Sequence, residues 1–145
     1  MLCISNKGRS ATRILTLLAS GGAKRIYSST DICTAEGINP GYVQQIMGSL
    51  RDSGLVVSHR GKQGGFELAR PASMITLADV LHVMEGETRL APCHDGTVCE
   101  RVPTCAARSA WVEAASVMDS FFEQITIEQL ANRAQELAAQ REGEG

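Results

Sequence analysis

The chain has 145 residues, a formal net charge of −2, 43% hydrophobic residues and 21% charged residues. That length fits one domain with an added arm, and that apolar share supports a packed core, so wholesale disorder is excluded. The charge is split: residues 1–72 carry nine Lys/Arg against four acids, and residues 73–145 carry five against twelve, so a basic half suited to a polyanion precedes an acidic half.

The first predicted helix runs from about Asn6 to Ser20. Ala11, Ile14, Leu15 and Leu18 fall at i, i+3, i+4 and i+7 on one face, and Gly21-Gly22 stops the helix. Ser28-Ser29-Thr30-Asp31 offers several caps for a short second helix through about Ala35, which Gly37 ends. Cys33 on this helix reads as a core residue. Asn39-Pro40 starts a third helix with a cap and a proline in the first turn. Its core stripe is Val43, Ile46, Met47 and Leu50, and Gly54 closes it. Leu55–His59 then reads as a strand-like run, Arg60-Gly61-Lys62-Gln63-Gly64-Gly65 forms a basic turn, and Phe66-Glu67-Leu68 alternates apolar and polar as the returning strand. Three helices followed by a hairpin with a glycine-rich basic tip is the order of a winged helix-turn-helix, whose last helix enters the major groove.

Thr76 caps a fourth short helix bearing Leu77, Val80, Leu81 and Met84, and a loop without helical period runs from Gly86 to Val102. A long helix follows from about Ala106 to Ile125. Its Trp111, Ala115, Met118, Phe122 and Ile125 recur at spacings of three or four, as in a helix–helix seam. A last helix is expected over about Thr126 to Gln140. The fold class is thus mainly α with a small β-hairpin wing. The expected segments are a DNA-binding domain (1–72), a short helix with a loop (73–105), a dimerisation helix with a C-terminal helix (106–140) and a disordered tail (141–145).

On the third helix the core stripe leaves Gly41, Gln44, Gln45, Gly48 and Arg51 turned outward, with Tyr42 near the N-terminal end. Glutamine bonds an adenine edge in bidentate fashion, tyrosine holds phosphates, and Gly48 leaves room for close approach. Arg60 and Lys62 at the wing tip reach toward a minor groove or along phosphates, while Gly61, Gly64 and Gly65 keep bulk away. Taken singly, surface glutamines and a glycine-rich turn are ordinary features; the ordered set is what points to double-stranded DNA.

Five cysteines are an odd number, and in a cytoplasmic, reducing compartment they do not make a disulfide frame. The chain begins without a signal-peptide layout, and no apolar run approaches the ~20 residues of a membrane span, so a soluble cytoplasmic protein is expected. Cys93, Cys99 and Cys105 are equally spaced, with five residues between neighbours, on the loop before the long helix. Soft thiolates so placed suit an iron–sulfur cluster or zinc, although the Cys-x2-Cys knuckles usual in structural zinc sites are absent. Thiol redox chemistry is the alternative. An enzyme is disfavoured, because His59, His82 and His94 are scattered and no nucleophile–base pair is visible. A non-DNA adaptor on the same fold is the remaining possibility.

These residues carry a family resemblance over about residues 2–137. The chain resembles the winged-helix iron–sulfur regulators that include IscR, NsrR and RirA. The likeness rests on Ser5-Asn6-Lys7-Gly8-Arg9, Tyr42-Val43-Gln44-Gln45-Ile46, Leu50-Arg51-Asp52-Ser53-Gly54-Leu55-Val56 and Arg60-Gly61-Lys62-Gln63-Gly64-Gly65-Phe66. It continues in the three-cysteine loop with Trp111 after it and in Ile125-Thr126-Ile127. The resemblance implies a homodimer joined through the long helix, palindromic operators, and a [2Fe-2S] or [4Fe-4S] cluster per subunit that reports iron or cluster supply, nitric oxide or oxidants. By position, Cys93, Cys99 and Cys105 match the cluster ligands, Tyr42, Gln44 and Gln45 the recognition-helix positions, and Arg60 with its glycines the wing.

Two departures stand out. IscR-like members place a histidine ligand three residues after the last cysteine, where this chain has Arg108, and NsrR-like members draw a carboxylate from the partner's first helix, where this chain has Arg9. Cys3, His94 and an open or non-protein position are the candidates left for a fourth ligand. Gln44 stands where IscR has an operator-discriminating glutamate, so the bases tolerated are expected to change.

Overall fold

The structure, a computed structural model, describes residues 3–22, 25–96 and 99–143. Helix α1 (Asn6–Ser20) begins at Ser5, whose side chain accepts the Gly8 N–H, and buries Ala11, Ile14, Leu15 and Leu18. Helix α2 (Ser29–Glu36) starts with a reciprocal cap between Ser28 and Asp31 and ends at Gly37, whose φ of 65° is the left-handed turn that glycine adopts without strain. Helix α3 (Pro40–Asp52) is capped by Asn39, whose side chain accepts the Tyr42 N–H at 2.8 Å. Its Val43, Ile46, Met47 and Leu50 are wholly buried, so Leu50→Ala is a cavity-forming change of ~2–5 kcal/mol.

Strands β1 (Val56–His59) and β2 (Gly65–Leu68) pair antiparallel, with Val56 opposite Leu68 and His59 opposite Gly65. Tyr27 adds a further bridge: its N–H donates to the Phe66 carbonyl at 2.9 Å, and the Phe66 N–H returns the bond at 2.8 Å. The wing is therefore fastened to the segment before α2.

A 3-10 turn at Ala72–Met74 leads to α4 (Leu77–Glu85), capped by the Thr76–Asp79 box, and a second 3-10 turn at Val102–Thr104 precedes α5 (Ala106–Glu123) and α6 (Ile127–Gly143). Helix α6 packs back on α1, and Ile75, Val80 and Ile127 join the same core as α1 and α3. Ile75 and Ile127 are tied through the backbone as well, by the Ile127 N–H donating to the Ile75 carbonyl at 2.9 Å.

Two expectations change. Helix α6 continues through Gly143, so Arg141 and Glu142 are helical rather than tail, as suits the helix-favouring run Leu137 to Glu142; Glu144 and Gly145 lie outside the described residues. The predicted seam on α5 also divides. Ala115 is buried and Met118 and Phe122 are half-buried where α5 packs on α4 of the same chain. Large apolar side chains left open are Trp111 and, on the neighbouring face, Val117 (65% exposed) and Phe121 (58%). Among the described residues no helix is long and apolar enough to cross a membrane.

Candidate nucleic-acid interface and cysteine loop

The buried stripe of α3 fixes which side chains face out. Gln44, Gln45 and Arg51 are exposed and Gly48 is half-exposed on that outer side, while Tyr42 is half-buried at the edge of the core. A methyl group at Gly48 would meet nothing within 4 Å, so nothing in the fold requires a glycine in this helix interior. Gln44 Nε2 donates to Ser29 Oγ at 2.7 Å, joining the outer face of α3 to the first turn of α2. Lys7 Nζ lies 3.5 Å from Ser49 Oγ, so α1 brings a further positive charge alongside α3. Arg51 is paired with its neighbour Asp52 at 3.2 Å. Both partners are exposed, and such a pair is easily exchanged for another anion.

The wing tip presents Arg60 and Lys62 to solvent. Only part of its glycine content answers to an outside partner. A Cβ on Gly64 would lie 2.4 Å from the His59 carbonyl oxygen, and one on Gly65 would lie 2.3 Å from that of Tyr27. These two positions are glycine because the backbone closes on itself there. Gly61, at φ 108° with open space around it, is the turn residue. Behind the tip, His59 Nε2 and Glu67 Oε1 meet at 2.7 Å and brace the hairpin.

On the loop between α4 and α5, Cys93 and Cys105 are half-buried, Cys99 is exposed, and all are free thiols. Cys105 occupies the cap position of α5 and makes no side-chain capping bond. Arg108, one turn into α5, donates from Nε to the Cys93 carbonyl at 3.0 Å and from Nη2 to the His94 carbonyl at 2.9 Å. The arginine at the expected histidine position thus holds the loop by its backbone. The Nδ1 atom of His94 is buried without a hydrogen-bond partner, the kind of orphaned group that signals a missing ligand or solvent. Among the described residues no three His, Cys, Asp or Glu side chains converge as a closed metal site. The donors fit a thiophilic group in chemistry, although the thiols do not converge. Cys3 is exposed and lines a groove of about 720 Å³ with Ile4, Arg9, Glu85, Arg89 and Phe122, beside the start of the cysteine loop. Arg9 itself is bonded to Asn6.

Sequence reasoning missed the Ser29–Gln44 bond and the Arg108 clamp. Ser29 sat among several interchangeable caps, and Arg108 was weighed only as a non-ligand.

A family model described as an iron-dependent transcriptional regulator, Rrf2, matches residues 4–133. The chain belongs to the Rrf2 family. This Rrf2 protein is a DNA-binding transcriptional regulator, not an enzyme. The HTH-type transcriptional regulator IscR of Vibrio atlanticus is 30% identical over 127 residues, covering 88% of this chain and 73% of its own. Among solved structures, T. potens IscR superposes with a TM-score of 0.76 at 26% identity, covering 94% of this chain and 90% of its own. CymR, described as the global cysteine regulator of B. subtilis, gives a TM-score of 0.77 at 29% identity, covering 92% and 98%. The winged-helix class expected from the sequence is therefore the fold of this Rrf2 regulator.

Proposed function

We propose that this regulator binds a palindromic operator as a homodimer and that Cys93, Cys99 and Cys105 hold an iron–sulfur cluster whose presence sets operator affinity. The observation that carries this is the three free thiols on the loop tied by Arg108 to α5. The iron-dependent description of the family and the IscR relatives support it. Bound there, the cluster supplies a cross-link between thiols that depends on iron and is labile to oxidants. Arg108 fixes the loop backbone through the Cys93 and His94 carbonyls. Cys3 and His94 are the fourth-ligand candidates, His94 having the orphaned nitrogen and Cys3 the adjoining groove. Gln44, Gln45 and Tyr42 contact the major groove, and Arg51, Arg60 and Lys62 contact phosphate or the minor groove.

A second reading has the same DNA contacts with the cysteines acting through thiol oxidation or zinc. It draws on the solved CymR relatives, one described as an oxidised form, and on the thiols' failure to converge. Metal and sulfide analysis of protein purified without oxygen separates the two. Iron and acid-labile sulfide in matching amounts, lost in Cys99→Ser, is the expected result. Zinc, or no metal and a disulfide trapped in air, gives the second reading.

A further inference from the structure

Helix α3 has a neighbouring helix on each side, and its two flanks differ in charge. At about 100° per residue, Gln44, Gly48 and Arg51 (i, i+4, i+7) share one flank, and Tyr42, Gln45 and Ser49 (i, i+3, i+7) share the other. Helix α2 stands beside the first through the Ser29–Gln44 contact, and α1 beside the second through Lys7 and Ser49. The first flank has a cation of its own in Arg51, whereas the three side chains of the second are neutral. Lys7 supplies the charge that this flank lacks. It is half-buried, and its ammonium lies 3.5 Å from the Ser49 hydroxyl, which itself donates to the Gln45 carbonyl at 3.3 Å. Among the described residues Lys7 joins no ion pair. An ammonium drawn partly out of water without a carboxylate partner favours an anion from outside. The start of α1 is held in place independently of that contact. Ser5 caps it, and the Ser5 N–H and hydroxyl both donate to Glu85 at the end of α4, at 3.2 and 2.5 Å. A Cβ on Gly8 would run into that carboxylate, so α1 begins pressed against α4 with Lys7 directed along α3.

We propose that Lys7 is a DNA-phosphate contact supplied by α1, on the strand opposite the one that Arg51 meets in the same half-site. With its side chains a helix is about 10–12 Å across, and the major groove is about 12 Å wide, so a helix lying along the groove has a phosphate backbone on each flank. Arg51 reaches one backbone, and Lys7, from the other side of α3, reaches the second. The two cations centre the helix between the strands, and Lys7 does so without reading a base. This rests on the operator-binding reading above and adds a contact from outside both the recognition helix and the wing.

The test uses the full chain and a duplex that the wild type enriches from a pool with a randomised core. That duplex is remade with single neutral methylphosphonates, one position at a time on each strand, and affinities are measured over a range of salt for wild type, Lys7→Ala, Lys7→Arg, Arg51→Ala and Arg133→Ala. Lys7→Ala is expected to bind more weakly, to lower the slope of log affinity against log salt by about 1, and to weaken all sequences alike. It also becomes indifferent to neutralisation of one phosphate per half-site to which wild type is sensitive. Arg51→Ala becomes indifferent to a different phosphate, on the opposite strand. Lys7→Arg, which keeps the charge, behaves as wild type. So does Arg133→Ala, which removes an exposed cation of α6 and so controls for net charge. A Lys7→Ala protein with the wild-type slope and the wild-type sensitivity at every phosphate overturns the proposal with DNA binding intact. Silencing of the same phosphate by Lys7→Ala and Arg51→Ala overturns it too. A wild-type chain that enriches no sequence overturns the operator-binding reading, and this inference with it.

Discussion

Arg60 is the most exposed test of the wing. It stands at the hairpin tip in front of a backbone that Gly64 and Gly65 lock in place. Arg60→Ala is expected to weaken DNA binding and reduce the slope of log affinity against log salt by about 1, as for the loss of one phosphate contact. An unchanged slope in a salt titration removes it from the interface. Asp31 offers a pH test of the α2 cap. The hydrogen bond from the Ser28 backbone, then that from the Ser28 hydroxyl, and more weakly the charge of Arg25 outweigh a small desolvation at this exposed position and hold its carboxyl below the ordinary value of 3.8. A carboxyl depressed by folding adds stability above its unfolded value and loses it as pH falls through the folded one. Asp31→Ala is therefore expected to lower Tm at neutral pH, with the gap to wild type narrowing from about pH 4 downward. A gap that is independent of pH contradicts this role. At this scale the sequence was least informative about Arg108. Its partners are carbonyls 14 and 15 residues away, and no local pattern announces where a loop's backbone will lie.

Among the elements, α3 carries a separable prediction. Gly48 lies in a helix interior with open space where a Cβ would be, so Gly48→Ala should stabilise the fold by about 0.5–1 kcal/mol and yet weaken operator binding. Thermal melting and gel retardation on one sample check both halves. A variant that is stabilised and binds normally shows that no surface approaches Gly48 closely. The helices themselves were legible because their signals are local. Ser5, Ser28, Asn39 and Thr76 each cap the helix that follows, and the stripes on α1 and α3 bury as their spacing predicts. Gly65 was misjudged because its constraint comes from Tyr27, some forty residues earlier, which periodicity cannot reveal, whereas that on Gly64 comes from His59 within the hairpin. The division of α5 was hidden for a related reason. The expected stripe from Trp111 to Ile125 gave no sign that α4 of the same chain covers its middle, and Val117 and Phe121 lay outside it.

The whole molecule places a basic reading surface, a cysteine loop and an open apolar helix in sequence along one chain. Val117 and Phe121, more than half exposed, form the face of α5 that the chain itself does not cover. A charge there should split the proposed homodimer. Phe121→Glu is expected to elute at monomer mass in light-scattering chromatography and to lose operator affinity, because a palindrome is read by two linked helices. A dimeric Phe121→Glu protein locates the interface elsewhere. In the function proposed above, the coupling between loop and DNA runs through α5, where Cys105 is the cap residue and Arg108 in the first turn clamps the loop. The most direct measurement of that coupling is operator affinity before and after iron is stripped by a chelator, for wild type and Cys99→Ser purified without oxygen. A wild-type affinity that changes on stripping, beside a Cys99→Ser affinity that matches the stripped protein and does not respond, is the predicted result. Equal affinities in all four samples would contradict control of this regulator by its cysteine loop.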